Sequence, residues 1–267
     1  MLSPRRSIWR YQNSNADLGT AWRTSGYDDS AWSSGAAPLG GGDGHIATVL
    51  NIGPSGGRYP TLYFRRAFSV GSAGDYEGLI LRLLRDDGAA VYLNGTLLVA
   101  DGVAIPSSHG QYATQVVDGA NETTYFVHSA PANALVDGVN ILAVEVKQAN
   151  PTSSDLGFDL ELEGLVDETP PELVEVQPPP GTVVSSLEFI RVLFDEGING
   201  IDAGDLWVNG QPATTLTFLS NREYDFAFPP PLSGLVEVVW APDHGITDDS
   251  PRANAFAGGT WSYTVDP

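Results

Sequence analysis

Two adjacent carboxylate pairs, Asp28-Asp29 and Asp86-Asp87, are the residues in this chain best suited by type and spacing to do chemistry. Hard cations such as calcium take their oxygen ligands from acid-rich loops, so each pair is a candidate metal ligand. Each also has a plainer explanation. Asp28 can start a turn ahead of Trp32, and Asp86-Asp87 leads into Gly88 at the mouth of a hairpin. Both readings stay open on residue chemistry alone, with turn formation the simpler.

A second set could bind an uncharged ligand. The glycine-rich stretch Gly40–Thr61 carries His45, Arg58 and Tyr59, and Ile105–Ala113 carries His109 and Tyr112. Aromatic faces against sugar C–H surfaces, with Arg and His on hydroxyls, would make a shallow carbohydrate surface. Local packing is the bland alternative for any one of them. The run Gly40-Gly41-Gly42-Asp43-Gly44 lacks the lysine and the following helix that phosphate binding needs. The four histidines, His45, His109, His128 and His244, have no metal spacing, and the absence of cysteine excludes thiolate metal sites and cysteine nucleophiles. HExxH does not occur, and the reading is non-catalytic.

The elements that must position these residues are strands. Val91 and Leu93 share one face and Tyr92 the other, and Asn94-Gly95 supplies the positive φ of a two-residue hairpin turn. Tyr63–Val70, Asn140–Val146 and Phe158–Leu165 are β-rich. In the last, Phe158, Leu160 and Leu162 alternate with Asp159, Glu161 and Glu163. No segment sustains a helical apolar stripe, so the chain is predicted to be all-β.

With 267 residues the chain is long for one β-sandwich and comfortable for two. The composition changes across Gly164–Val184, which carries two proline-rich steps, placing a boundary near Asp167 with a linker over about 167–171. Against 33 acidic residues stand 13 basic ones, a net charge of -20, and Lys147 is the single lysine. Nucleic acid and anionic membranes are thereby excluded as partners, acidic polysaccharides are disfavoured unless calcium bridges them, and close self-association is disfavoured, so a monomer is expected. The opening MLSPRRSIWRYQ has no apolar segment after its arginines, so it does not read as a signal peptide, and nothing later is long enough to insert into a membrane.

WRTSGYDDSAWSSGAAPLGGGDG, YFRRAFSV, DDGAAVYLNG, DGVNILAVEV and SSDLGFDLEL occur in the order seen in galactose-binding-like jelly rolls of bacterial exported proteins. Residues 1–166 resemble that family, and more distantly the sugar-binding domain of family-two glycosidases. Residues 167–267 resemble bacterial Ig-like modules through DETPPELVEVQPPPGTVV, IRVLFDEGI, DLWVNG and HGITDDSPRANAFAGGTW. The chain departs from that pattern at Asp195-Glu196-Gly197 and at Asp249–Asn254, both in loops.

The first resemblance implies a structural calcium site in which one aspartate pair joins backbone carbonyls and a late acid such as Glu161. A likeness to protective-antigen-like lectin domains would instead have Asp86-Asp87-Gly88 hold calcium against sugar hydroxyls. Together the resemblances imply a non-catalytic module that binds a neutral glycan or polysaccharide, or serves adhesion, followed by an Ig-like spacer. The parent would be a larger protein, secreted or at the cell surface. Two alternatives stay open: purely structural spacers in a long stalk, beside neighbouring domains of the parent, and an accessory domain of a polysaccharide-degrading enzyme.

Overall fold

The computed structural model describes residues 1–267. It is built from β-strands with a few single 3-10 turns, and no helix is long and apolar enough to cross a membrane. The chain separates into two compact units, Met1–Val166 and Asp167–Pro267.

The first unit contains β1 (Ile8–Gln12), β2 (Ser33–Ala36), β3 (Leu39–Gly41), β4 (Thr48–Val49), β5 (Thr61–Val70), β6 (Gly78–Asp86), β7 (Gly88–Leu93), β8 (Thr96–Asp101), β9 (Phe126–Pro131), β10 (Gly138–Lys147) and β11 (Leu156–Leu165). One sheet has the order β2-β1-β5-β10-β7-β8 and the other β4-β3-β11-β6-β9, so the chain crosses repeatedly between sheets, as in a jelly roll. Period-two alternation builds the core between them. Leu79, Leu81 and Leu83 of β6, Leu142, Val144 and Val146 of β10, and Phe158, Leu160 and Leu162 of β11 are all fully buried there.

The Asn94-Gly95 turn joins β7 to β8, with φ of 51° and 92° at its two residues. Asp86-Asp87 does not cap that hairpin. β6 belongs to the other sheet, and the pair marks the step where the chain passes from one sheet to the next.

The outer face of the six-stranded sheet carries a second apolar cluster, in which Trp22 lies against Tyr63 and Tyr92, and Trp32 against Tyr27. Glu145 and Lys147 are buried on this face, 3.4 Å apart. Glu145 also accepts from Tyr92 Oη at 2.9 Å, and Lys147 donates to Thr61 Oγ1 and to the Ser108 carbonyl, both at 2.6 Å. Burial holds the Lys147 ammonium below the usual lysine range, and these partners keep the ion pair from being an uncompensated buried charge.

The second unit is also a β-sandwich. Leu173–Gln177, Phe189–Phe194, Glu223–Ala227 and Thr215–Phe218 form one sheet in that order. Val183–Val184, Thr260–Val265, Gly234–Trp240, Leu206–Val208 and Gln211–Pro212 form the other. Val236, Val238 and Trp240 face the core with Tyr263 and Val265, while Trp261 packs at its edge.

Candidate metal centre

Strand register assembles the most unusual polar site in the first unit. β11 pairs antiparallel with β3 (Leu156 opposite Gly41) and with β6 (Gly157 opposite Asp86). The C-terminal ends of β3 and β6 therefore meet the N-terminal end of β11 on one edge of the sheet. Each strand supplies a carboxylate there: Asp43 just past β3, Asp86 ending β6, and Asp155 just before β11. One oxygen from each lies within 4.8 Å of the others.

The glycine run makes this approach sterically possible. A Cβ on Gly40 would sit 1.8 Å from the Leu156 carbonyl oxygen, and one on Gly42 would sit 2.6 Å from Asp155 Cβ. Gly42 also has φ of +101°, outside the range other residues readily adopt. The run that offers no phosphate site thus brings Asp43 against Asp155.

Asp86 is 0% exposed, and neither of its carboxylate oxygens has a hydrogen-bond partner. Asp43 Oδ2 is likewise buried and unpartnered. An ionised carboxylate in that state costs several kcal/mol unless a proton or a cation compensates it. Burial, and then the Asp87 and Asp155 carboxylates, push the Asp86 carboxyl up to about 9. Burial and Asp155 also raise Asp43.

The donor set fits a hard cation. All three donors are carboxylate oxygens, and two ligands across a calcium ion at roughly 2.4 Å each stand at most about 4.8 Å apart.

Asp87, at the crossover between β6 and β7, lies outside this group although its carboxylate raises that of Asp86. Its oxygens accept from the Val117 amide at 2.8 Å and the Ala149 amide at 2.6 Å, tying two loops to the crossover. The other acids singled out in the sequence have separate partners. Asp28 accepts from the Ser30 amide at 2.9 Å in a turn, and Asp29 pairs with Arg65 at 2.8 Å. Glu161 pairs with Arg82 at 2.6 Å and Arg5 at 2.9 Å. The structure brings neither these acids nor the two halves of either pair into one metal site.

Most of the proposed glycan-binding residues are likewise committed internally. Arg58 donates to the carbonyls of Gly53, Ser153 and Ser154 at 2.5, 2.8 and 3.1 Å, stapling two loops together. Tyr59 packs on the core and accepts from Asn51, and Tyr112 donates to the Arg58 carbonyl. His109 stacks on Tyr63 and hydrogen-bonds to it at 3.0 Å, with Asn15 at its other nitrogen at 3.1 Å. His45 differs. Its Nδ1 is 4.0 Å from Asp43 Oδ2, and its Nε2 is buried without a partner beside the acidic centre.

The chain matches no family model and no curated protein. Solved structures that it overlays include Bifidobacterium dentium beta-glucuronidase complexed with coumarin-3-O-glucuronide, at 12% identity and a TM-score of 0.40, over 99% of this chain and 48% of that one. Bacteroides uniformis beta-glucuronidase 2 overlays at 16% identity and a TM-score of 0.41, over 97% of this chain and 32% of that one. CopC from Methylosinus trichosporium OB3b overlays at 18% identity and a TM-score of 0.27, over 36% of this chain and 94% of that one. The chain thus spans about a third to a half of the length of these glycosidase chains. Likeness at this level leaves function to the geometry of the site.

A second acidic group, Asp167, Glu196 and Asp248, lies in the other unit with one oxygen from each within 4.8 Å. Burial, then Asp167 and Asp248, push Glu196 up to about 7. Asp248 is fully buried but satisfied, accepting from Ser250 Oγ at 2.9 Å and from the Asn254 amide and side chain at 2.8 Å each. None of these three acids has a buried oxygen left without a partner, as Asp86 does.

Proposed function

We propose that the first unit is a calcium-binding, non-catalytic carbohydrate-binding module of a larger exported protein, carried on an Ig-like spacer. The observation that carries the calcium reading is Asp86, a fully buried carboxylate without a partner, converging with Asp43 and Asp155. A divalent cation there would neutralise three like charges and hold the ends of β3, β6 and β11 together, along with the loops that leave them. Three carboxylates suit the 10⁻⁴ to 10⁻³ M affinity class (roughly) of extracellular calcium modules. The carbohydrate reading is supported by His45, whose unpartnered nitrogen lies beside this centre.

Titration calorimetry of the intact chain with calcium and magnesium, followed by a glycan screen with calcium and with chelator, tests the reading. One calcium bound per chain, abolished in Asp86→Asn, is the expected result, together with calcium-dependent glycan binding. No heat with either metal would overturn the metal reading. Calcium binding without any glycan binding would leave a structural ion in a spacer.

A further inference from the structure

The outer face of the six-stranded sheet holds an open cavity of about 530 Å³ with a basic lining. Three guanidinium groups, of Arg10, Arg65 and Arg66, stand against one carboxylate, Asp29, which leaves a local charge of +2. Asp28 lies near enough to feel Arg10, and counting it still leaves +1. The chain as a whole carries -20. Arg10 is directly opposite Arg65 where β1 pairs with β5, a position in which like charges repel. Asp29 bridges them, 2.8 Å from Arg65 Nε and 3.5 Å from Arg10 Nε. Arg65 is buried, bonded also to the carbonyls of Trp22, Thr24 and Tyr27, and so forms the floor.

Arg66 breaks the pattern of its strand. Phe64 and Phe68 on either side of it are core residues, so alternation calls for an apolar side chain at 66. Pairing of β1 with β5 stops at Arg10, and Arg66 Nη1 instead donates to the Ile8 carbonyl at 2.9 Å. Arg66 Nε is buried without a partner, and burial, with no carboxylate to offset it, pushes the guanidinium below the usual arginine range. Arg66 Nη2 makes no hydrogen bond in the protein and, unlike Nε, is not sealed from solvent. The Arg10 side chain is 45% exposed, and its Nη2 is also free, since Nη1 takes the carbonyls of Asp29 and Ser30. Two guanidinium groups thus offer unspent donors to a cavity of positive charge.

We propose that this cavity binds an acidic sugar, a uronic acid residue whose carboxylate lies between Arg10 and Arg66. The assignment rests on the carbohydrate-binding reading of the unit and names its ligand class. Guanidinium nitrogens give a carboxylate short, charge-assisted hydrogen bonds, and an anion here offsets the desolvation of Arg66. Ile8, 63% exposed, with Ala67 and Ile141, offers apolar surface to ring C–H groups, and Ser25 and Ser34 carry hydroxyls with no partner in the protein. The volume falls within the roughly 300–1,000 Å³ range of ligand pockets. The net charge that disfavours acidic polysaccharides acts at a distance and is screened over about 8 Å at physiological salt, so inside the cavity the nearest charges decide.

The test titrates the intact chain by NMR at about pH 6, in calcium and again in chelator. The probes are methyl glucuronide and methyl galacturonide, with methyl glucoside as the neutral comparator and acetate as a carboxylate without a sugar. Binding of at least one uronide, at least tenfold tighter than the glucoside or acetate and unchanged by chelator, is expected. Arg66→Met and Ala67→Trp should each weaken it at least tenfold while the calcium titration stays within twofold of the parent. Ala67→Trp fills the cavity and keeps all three arginines, so it reports even where Arg66→Met shifts β5. Uronide binding that chelator abolishes, or that neither variant weakens, would overturn the cavity assignment and leave the carbohydrate-binding reading standing, as would binding of neutral glycosides alone. Acetate bound as tightly as the uronides would overturn the sugar assignment and leave a simple anion site. No binding of any glycan would overturn both readings.

Discussion

Asp86→Asn should turn a unit that responds to calcium and pH into one that responds to neither. In chelator the Asp86 carboxyl titrates near 9 in the folded unit, against an ordinary value of 3.8. The folded state therefore holds a proton that the unfolded state has released, and stability falls as pH rises across that window. Each pH unit is worth about 1.4 kcal/mol, so between pH 5 and 8 the calcium-free unit should lose up to about 4 kcal/mol, or roughly 10 °C in melting temperature. Calcium at a hundred times its dissociation constant should restore about 2.7 kcal/mol at pH 8.

The variant buries an uncharged amide whose unmade hydrogen bonds cost about 1–3 kcal/mol at every pH. It should melt below the parent at pH 5 in chelator, above it at pH 8 in chelator, and below it again at pH 8 with calcium. Scanning calorimetry of the intact chain reads this, with the transition of the first unit assigned by hydrogen exchange across β6 and β11. A variant that melts below the parent by the same amount at both pH values, with calcium shifting both proteins equally, would refute the reasoning. Asp86 would then be a packed polar residue and no more.

Gly42→Ala places a Cβ 2.6 Å from Asp155 Cβ at a φ of +101°, so calcium affinity by calorimetry should fall at least tenfold. In the second unit Glu196 titrates near 7 rather than 4.5, so that unit should lose stability as pH rises from about 4.5 to about 7, and Glu196→Gln should flatten the profile seen by hydrogen exchange. Leu160→Ala empties a fully buried position between the two sheets and should cost about 2–5 kcal/mol in denaturant unfolding, with the calcium stoichiometry of the folded protein unchanged.

The strands were legible because their signals are local. Alternation at Phe158, Leu160 and Leu162 and the turn at Asn94-Gly95 each lie within a few residues, and the structure uses both as such. The acidic centre was legible only in part, because its parts are 43 and 69 residues apart and meet through the register of β3, β11 and β6. Adjacency in sequence was the wrong cue for shared ligation. At the crossover from β6 to β7, Asp86 joins the acidic centre while Asp87 accepts from the Val117 and Ala149 amides. Asp43 lay in a glycine run dismissed for phosphate, and Asp155 in a stretch, SSDLGFDLEL, noted only for its place in the jelly-roll resemblance. What could have joined them is the steric question the glycines pose: Gly40 and Gly42 each exclude a Cβ, which implies another backbone pressed against them, and here that backbone carries Asp155. The tyrosines and Arg58 follow the converse logic. A polar side chain in a glycine-rich loop satisfies nearby carbonyls first, as Arg58 does, whereas His45 Nε2 is left without a partner.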